Sequence, residues 1–587
     1  MMAGHRGIRI QWRPHPLIFT ARAENLQTVT SSTSVTPPEP ETTRPTLRGT
    51  FGMVASTQGI ATAAAQAVLE RGGNAFDAAV AEAVVLHVVE PHLNGPGGDL
   101  VGIFATATAT ATDTAADPAQ PLVLMGQGPA PHNATIEHFR AEGLDLVPGV
   151  GALAVAVPGT VDAWLLLLPL PLRDHGSWML EDVFALARDY ARHGRPLLGR
   201  VSATIAAVAE LFETHWPSSA ALRTPQGRVL RAGELLVNPA YADTLDRLAD
   251  AGRHAASWEG RIDAARAESS AGFVAEAAAR FVLEKHRHSS GTDRAGAIDE
   301  QDFAVFRASY EPAVTLDFRG VTVAKSAAWG QGPALLQSLA VLDGFDDERL
   351  DPSTALGAHT MLEAQKRSLA DRKAHYGDVE VPLEYLLSAG YAQPRHTLIT
   401  DRASSEFRPG SVPGVLAYHP PLRVSSDPTG VNDEFAGSGE PTVSTAGVTA
   451  GVTGHIDVVD AWGTMISVTP SGGWLQSSPT IPELGFCRRG RLQMMWHDPS
   501  SSSALMPGRR PRSTLTPTLI LQGGHPIATL GTPGGDQQDQ WQLLYLLRTL
   551  VGGYSPQEAI DAPAFHTTSF PDSFWPRTRE PGDAAGR

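Results

Sequence analysis

Apolar residues recur at helical spacing in the first globular stretch of the chain. Val80, Val84 and Val88 fall on one face of a predicted helix, because residues four apart lie one above the other on a helix surface. Asn74 can cap this helix, and Asp77, three residues on, completes the pattern of a capping box. The pattern therefore predicts a helix that begins just after Asn74.

The remaining pattern divides the chain into a helical first part and a strand-rich last part. A helix is predicted over residues 61–71, and helical stretches separated by turns recur through 176–285 and 330–392. Later strand signals lie at residues 455–459, 464–469, 517–521 and 526–530, with a helix at 537–551. Both kinds of element are therefore predicted, in an α+β arrangement.

Three segments have a simple composition. Residues 1–46 form a leader predicted to be disordered, since its part from 26 to 46 is rich in Thr, Ser, Pro and Glu. An Ala-Thr repeat at 105–112 predicts a surface hairpin insertion. Residues 401–452 are rich in Gly, Pro, Ser and Thr, which predicts a flexible, exposed connection.

Charge and cysteine content exclude several functions. The 587 residues carry 46 basic and 62 acidic side chains, a net charge of −16, which disfavours a nucleic-acid partner. One cysteine, Cys487, allows neither an internal disulfide nor a multi-cysteine metal site. The longest apolar run, residues 163–172, is too short to span a bilayer, and no secretory signal is evident. We therefore expect a cytoplasmic protein without membrane contact, metal or cofactor.

Two hydroxyl residues are predicted to meet at the end of a hairpin. The first two strands of the last part can pair around a three-residue loop at 461–463. In an antiparallel pair the numbers of facing residues have a constant sum, so Thr453 faces Ser471. The same register places His455 opposite Thr469. Thr453 and Ser471 could form a nucleophile pair, but two surface hydroxyls at a hairpin end have the same spacing.

A free α-amino group would make Thr453 reactive. A threonine hydroxyl alone is a poor nucleophile, whereas an N-terminal threonine has its own amine as a base that titrates at about 7.7 to 8.0. The flexible stretch that ends at Val452 is a suitable place for a cut. The sequence therefore suggests cleavage immediately before Thr453.

Two further segments could complete a reaction site. Gly534 and Gly535 lie between a predicted strand and helix, where exposed backbone N–H groups suit a developing oxyanion, with Asp536 as the predicted helix cap. An ordinary tight turn would look the same. Ser513 and Thr514 could donate hydrogen bonds into a pocket, or could belong to a hydroxyl-rich strand edge. We find no Gly-x-Ser-x-Gly elbow and no His-Glu-x-x-His helix.

At these positions the sequence resembles the γ-glutamyltransferase family of N-terminal-nucleophile hydrolases, from about residue 52 to residue 565. The ordered matches are Gly-Met-Val-Ala-Ser at 52–56, Gly-Gly-Asn-Ala-Phe-Asp-Ala-Ala at 72–79, Val-Glu-Pro-His at 89–92, Gly-Pro-Gly-Gly at 95–98 and Val-Pro-Gly-Thr at 157–160. Thr453 opens a segment similar to the Thr-x-His-x-x-Val-Val-Asp of the family.

The resemblance implies a fold, a maturation step and roles for individual residues. It implies a four-layer αββα sandwich, made as a precursor that cuts itself before Thr453 into a large chain (47–452) and a small chain (453–587) that stay associated as a heterodimer. Ser471 is implied to assist the nucleophile. The remaining implied roles are pocket hydroxyls at Ser513 and Thr514 and oxyanion donors at Gly534 and Gly535.

The departures from the family pattern affect the substrate. Gln127 stands where the family has an arginine that grips the glutamyl carboxylate, and residues 494–497 lack the acid that holds the glutamyl amine. We include Gln127 and Thr469 in the predicted substrate site. A replacement cation is expected among Arg488, Arg489, Arg491 and Arg512, with Arg512 included in the predicted substrate site.

The sequence therefore predicts a self-processing amidohydrolase or acyltransferase in which Thr453 attacks an amide of a small molecule. Two alternatives remain. One is a γ-glutamyl hydrolase or transferase that acts on glutathione or its conjugates through a rebuilt recognition set. The other is a binding protein that keeps the fold but has lost catalysis.

Overall fold

The structure, a computed structural model, describes residues 42–106, 120–170, 178–288, 291–424, 453–574, 578–579 and 584–586. Residues 44–587 belong to one compact unit. Most of the predicted leader, the predicted Ala-Thr hairpin beyond residue 106, and residues 425–452 of the predicted connection lie outside the described residues.

Ten strands build two antiparallel sheets. In chain order they are β1 (Gly52–Ser56), β2 (Asp99–Ala105), β3 (Leu122–Gly126), β4 (Ser309–Pro312), β5 (Val314–Phe318), β6 (Val321–Lys325), β7 (Ile456–Asp460), β8 (Met465–Ser471), β9 (Thr518–Gln522) and β10 (His525–Leu530). The six-stranded sheet has the order β1-β7-β8-β2-β3-β4, and the four-stranded sheet has the order β10-β9-β6-β5. The two sheets contact each other through β7, β8 and β2 on one side and β9 and β10 on the other.

Helices cover the outer face of each sheet. They are α1 (Gly59–Glu70), α2 (Ala75–Val89), α3 (Ile136–Ala141), α4 (Thr160–Leu167), α5 (Leu180–His193), α6 (Gly199–Ala207), α7 (Ala209–His215), α8 (Pro217–Arg223), α9 (Pro239–Ala251), α10 (Trp258–Ser270), α11 (Phe273–Val282), α12 (Glu300–Val305), α13 (Pro333–Leu342), α14 (Ala355–His375), α15 (Leu383–Leu386), α16 (Ala389–Thr397), α17 (Gln538–Leu550) and α18 (Pro556–Asp561). Helices α1, α2 and α4 pack on the six-stranded sheet, while α13 packs on the four-stranded sheet and contacts α14 and α17. The result is the predicted four-layer αββα sandwich.

Short strand pairs lie outside the two sheets. They are Arg195–Pro196 with Leu235–Leu236, His286–Arg287 with Asp293–Arg294, Arg423–Val424 with Thr578–Arg579, and Phe565–Thr567 with Ala584–Gly586. No helix in the described residues is long and apolar enough to cross a membrane.

The helix predicted after Asn74 is confirmed. Asn74 Oδ1 accepts hydrogen bonds from the backbone N–H groups of Phe76 and Asp77, and Asp77 Oδ2 accepts from the Asn74 N–H, which completes the capping box. Nearly every residue of α2 is buried, so it lacks the single apolar face that the sequence predicted. The reason is that α2 lies in a helical layer, packed against the sheet beneath it and against α1 and α5.

The first part of the described chain is mostly helical and the last part strand-rich, as predicted, but the first part also supplies sheet strands that the sequence pattern did not predict. Six of the ten sheet strands, β1 to β6, precede residue 326. The last part inserts its strands among them, because β7 lies between β1 and β8, and β8 pairs with β2. Both parts of the chain are therefore joined by continuous backbone hydrogen bonding in one sheet.

The predicted exposed connection is only partly supported. Among residues 401–424, Val412 and Tyr418 are buried. Val412 packs in a cluster with Tyr376, Leu386 and Tyr391. This stretch of the chain therefore forms part of the core around the end of α14, although its composition resembles that of a linker.

Two buried histidines make stability depend on pH. Burial lowers the pKa of His87 and of His92 to about 3, so both are neutral in the folded protein, whereas an unfolded imidazole titrates near 6.5. The unfolded chain therefore binds more protons below pH 6.5. We expect each histidine to lower the free energy of unfolding by up to roughly 1.4 kcal/mol per pH unit between about 6.5 and 3.

This contribution of the two histidines is measured as a difference in acid-induced loss of stability between wild type and variants. Burial raises the pKa of Asp77 to about 7, which acts in the opposite direction, so the absolute slope of wild type mixes both effects. Urea titrations at pH 4.5 and 7 should show a smaller loss of stability on acidification for a His87→Gln/His92→Gln variant than for wild type. His254→Gln, at an exposed position, should leave the loss unchanged. Equal losses in all three proteins would contradict the assignment.

Candidate active site

The hairpin predicted around residues 461–463 is confirmed, with the predicted register. Ile456 faces Val468 and Val459 faces Met465, and an isolated bridge continues the pairing to Thr453 and Ser471. The alternation explains the two faces of β7. Ile456 and Val458 point into the core beneath α2, whereas His455 and Asp457 occupy the opposite face with Thr453.

Four polar side chains form a row across the end of the six-stranded sheet. Ser471 of β8 faces Thr453 on one side and Asp99 of β2 on the other. The register of β2 and β3 pairs Leu100 with Gly126 and so brings Gln127 beside Asp99. All four side chains are buried, which rules out two exposed hydroxyls at a hairpin end. We call Thr453, Ser471, Asp99 and Gln127 the polar row.

The Thr453 hydroxyl lies where the two sheets meet. Its Oγ1 is 3.5 Å from Ser471 Oγ and donates a hydrogen bond of 3.0 Å to the carbonyl oxygen of Gly534. The Gly454 N–H donates to the Pro470 carbonyl oxygen at 3.0 Å, which fixes the backbone beside Thr453. The nucleophile candidate is therefore held by both the hairpin and the turn after β10.

His455 links the polar face of β7 to Thr469. His455 Nε2 lies 2.9 Å from Asp457 Oδ2, and Nδ1 lies 3.0 Å from Thr469 Oγ1. Because an ionised carboxylate can only accept, Nε2–H of His455 donates to Asp457. Gly531 packs against this ring so closely that a Cβ there would lie 2.0 Å from His455 Cε1. Thr469 is thus bonded to His455, next to the nucleophile pair.

The turn at residues 531–537 differs from the prediction in one respect. Gly534 has φ +114, a conformation that L side chains rarely adopt, and Gly535 is buried beside it. Asp536 does not cap α17, because the cap position is Gln537 and no side chain caps the helix there. The Asp536 carboxylate instead points away, into a buried ion-pair network.

That network of ion pairs and hydrogen bonds holds the side chain of Asp536, which belongs to the turn. Asp536 Oδ1 lies 2.5 Å from Arg372 Nη1 of α14 and accepts a hydrogen bond of 2.6 Å from Ser573 Oγ. The neighbouring Arg372 guanidinium holds the pKa of Asp536 well below its usual value against the effect of burial. Partial burial and the charge of Asp536 raise the pKa of the half-buried Asp572 to about 7. Arg372 therefore balances a carboxylate that adjoins Gly535.

The predicted pocket residues gather near this network. Arg512 is buried and donates from Nη2 to Ser573 Oγ at 2.7 Å, so this guanidinium bonds to the supporting network. Gln127 Nε2 donates to the Pro511 carbonyl oxygen. Ser513 Oγ accepts from the Leu515 N–H at 3.1 Å, and Thr514 Oγ1 is buried with no hydrogen-bond partner in the described residues. Of the two predicted pocket hydroxyls, the one on Thr514 is therefore available to a ligand.

Two of the other candidate cations lie on the polar row. Arg489 Nη1 is 2.7 Å from Asp99 Oδ2, and Arg491 Nη2 is 3.1 Å from Asp99 Oδ1. Asp99 and Arg489 also pack against Gly472, the residue after Ser471, where a Cβ would lie 2.8 Å from Asp99 Oδ1. The structure thus pairs two guanidinium groups with Asp99, the residue that faces Ser471 of the nucleophile pair.

The sequence did not identify Asp99, Asp457 or Arg372 as members of the site. The alternation of Thr453, His455 and Asp457 at every second position was a usable signal for Asp457. For Asp99 and Arg372 the sequence held no such signal, because distant strands and helices bring them to the site.

The buried hydroxyl pair and the αββα fold agree with the comparisons with known proteins. The sequence model of one family, described as gamma-glutamyltranspeptidase, matches residues 61–579. The chain belongs to the γ-glutamyltranspeptidase family. It is therefore an N-terminal-nucleophile amide hydrolase or acyltransferase.

Similar proteins in this family carry different names. The glutathione hydrolase-like YwrD proenzyme of Bacillus subtilis (strain 168) is 29% identical over 520 residues, which cover 88% of this chain and 85% of that protein. The solved structure of LmbA2991HD is 46% identical with a TM-score of 0.84, covering 93% of this chain and 90% of that one. The cephalosporin acylase from Bacillus halodurans is 25% identical with a TM-score of 0.70, covering 90% and 86%.

Proposed function

We propose that this γ-glutamyltranspeptidase-family protein cuts itself before Thr453 and then uses Thr453 to hydrolyse or transfer the acyl group of a small amide. The observation that carries the proposal is the buried pair of Thr453 and Ser471, whose oxygens lie 3.5 Å apart at the junction of the two sheets. Such a hydroxyl has no base of its own until an amine is freed beside it.

In the cutting step, Thr453 Oγ1 attacks the carbonyl carbon of the preceding peptide bond. The new C–O bond forms as the C–N bond breaks, and the proton of the hydroxyl passes to the departing nitrogen, which becomes the α-amino group of Thr453. Water then hydrolyses the ester, so residue 452 ends in a carboxylate and the hydroxyl is restored. The products are an N-terminal threonine and a small chain of 135 residues, from Thr453 to Arg587.

In the turnover step, the freed amine takes the proton from Oγ1 while Oγ1 attacks the substrate amide. The amine then protonates the leaving nitrogen, and an acyl ester on Thr453 remains until water or a second amine accepts the acyl group. Ser471 orients Oγ1, and the backbone N–H groups of Gly534 and Gly535 stabilise the oxyanion. In the uncut chain Oγ1 bonds to the Gly534 carbonyl oxygen, so attack requires that hydrogen bond to be released.

The substrate candidates follow from the neighbourhood of the polar row. A cavity of about 880 Å³ opens beside His455 and the turn residues Gly531, Thr532 and Pro533, but Thr453 does not line it, so its size does not choose between amide substrates. A second candidate is a γ-glutamyl compound such as glutathione. Arg489 and Arg491 beside Ser471 favour this candidate, because guanidinium groups suit a carboxylate.

The cut parts should remain together as a heterodimer. Strand β7 is hydrogen-bonded to β1 on one side and β8 to β2 on the other, so a cut before Thr453 breaks no sheet pairing. Many apolar contacts between α2 and β7 also cross the cut. We therefore expect both fragments to elute as one species.

Intact mass and N-terminal sequencing of the purified protein test the proposal. We expect two fragments, the smaller of which begins Thr-Gly-His-Ile, in a complex that gel filtration does not separate. Release of p-nitroaniline from γ-glutamyl-p-nitroanilide and from a neutral acyl p-nitroanilide then tells the two substrate candidates apart. A chain that stays whole after prolonged incubation would instead support the binding-protein alternative.

A further inference from the structure

Arg488 is a buried cation without a carboxylate. It is 1% exposed, and neither its Nε nor its Nη2 has a hydrogen-bond partner among the described residues. The same part of the molecule contains no acidic group in ion-pair contact with it, and its guanidinium carbon lies 4.3 Å from the ring centroid of Phe303. Burial lowers the pKa of Arg488 only to about 9, so the side chain is still charged at neutral pH. An uncompensated buried charge costs several kcal/mol, so a counterion is expected.

Arg488 lines a small cavity. The cavity has a volume of about 30 Å³, and its wall includes Ser269, Ser270 and the rings of Phe303 and Phe306. It holds two or three water-sized spheres, because one such sphere needs about 10 to 15 Å³. The space is therefore large enough for a monatomic ion.

The one acid in the cavity wall already has a partner. Arg266 holds Asp162 through two hydrogen bonds, Nε to Oδ1 at 2.7 Å and Nη2 to Oδ2 at 3.1 Å. Asp162 also accepts from the Ala308 N–H at 2.6 Å. Its charge is thus neutralised by Arg266, and Arg488 is left as the uncompensated charge of the cavity.

We propose that this cavity binds a halide ion, chloride under ordinary conditions, held by the guanidinium group of Arg488. Ser269 and Ser270, whose hydroxyl groups can donate hydrogen bonds, also line the cavity. The halide site does not include Thr453 or Ser471. Halide binding can therefore be tested whether or not the proposed amide chemistry is correct.

Backbone contacts connect the Arg488 cavity to the polar row. The backbone of Arg488 bridges to Gly97, and the Arg489 N–H donates to the Gly97 carbonyl oxygen at 3.0 Å. Gly97 has no room for a side chain, since a Cβ would lie 2.2 Å from the Cys487 carbonyl oxygen. Two residues later the chain reaches Asp99. An ion on Arg488 therefore stabilises the segment that positions Asp99.

Halide-dependent unfolding of the whole protein tests this site. Thermal midpoints are measured in sodium gluconate, with chloride or bromide replacing gluconate at constant ionic strength. Above the dissociation constant, we expect the midpoint to rise with the logarithm of the concentration of either halide, by about 1 °C for each tenfold increase, as for a ligand that binds only the folded state. Arg488→Met should remove this halide-dependent rise. The matched control Arg253→Met, at an exposed arginine paired with Asp250, should keep it.

Bromide diffraction gives a readout that does not depend on a variant. An anomalous peak in this cavity, within hydrogen-bond distance of the Arg488 guanidinium group, would establish the site even if Arg488→Met does not fold. A midpoint that responds equally to gluconate and halides, together with density for water only in a bromide-soaked crystal, would overturn the proposal.

Discussion

Replacing Thr453 with alanine should leave the chain in one piece and lower amide turnover by roughly 10⁴-fold or more, the scale seen when a covalent nucleophile is removed. The Oγ1 atom is the proposed attacking atom in both steps. Ser471 Oγ lies 3.5 Å away, but Ser471 sits inside the chain and can never acquire a free amine. No second nucleophile is thus available to restore the reaction.

Two variants separate loss of the nucleophile from damage to the fold. Thr453→Ser keeps the hydroxyl and should still be cut, with a slower rate. Ser471→Ala keeps the nucleophile but loses the group that orients it, so cutting and turnover should both fall by about 10²-fold or more. Intact mass reports cutting, and initial rates on p-nitroanilides report turnover. If Thr453→Ala were cut at the same bond, Thr453 would not be the nucleophile.

Replacing Asp536 with alanine should destabilise the protein by about 3 to 5 kcal/mol, because it leaves Arg372 buried and uncompensated. The pair has Nη1 and Oδ1 at 2.5 Å, with both side chains almost fully buried. Asp536 also accepts from the backbone N–H of Ser573 at 2.7 Å. Since Asp536 adjoins Gly535, the same change should reduce turnover at temperatures where the variant is still folded.

An exposed acid provides the control for this effect. Asp343 lies 3.6 Å from Arg319 and is 56% exposed, so Asp343→Ala should change stability by less than about 1 kcal/mol. Urea midpoints of the two variants and of wild type give the comparison. If Asp536→Ala and Asp343→Ala cost the same, the buried pair would not support the turn.

The nucleophile pair could be predicted from the sequence because it depends on short-range rules. A three-residue loop, in which Gly463 has φ +90, sets one register, and that register leads from the loop to Thr453 and Ser471 without reference to other strands. The same holds for the capping box at Asn74. Rules of this kind stay valid when the rest of the fold is unknown.

Such short-range rules could not predict the partners of Asp536 and Arg512. The local pattern assigned Asp536 to a helix cap, but the structure pairs this carboxylate with Arg372 of α14 and leaves the start of α17 without a side-chain cap. Arg512 was considered for the substrate, whereas Ser573 occupies its Nη2. In both cases the deciding partner comes from a distant element, and a single sequence does not specify which distant elements meet.

The strand order also bears on quality control in the cell. Asp99 and Gln127 are made early and Thr453 and Ser471 late, yet the polar row exists only when β7 and β8 have inserted between strands from the other end of the chain. Under the proposed self-cleavage, a truncated or misassembled product would never mature. Each cut chain would then be one that had completed folding, because the cut is irreversible. The ratio of cut to uncut chain would therefore measure folding yield without any activity assay.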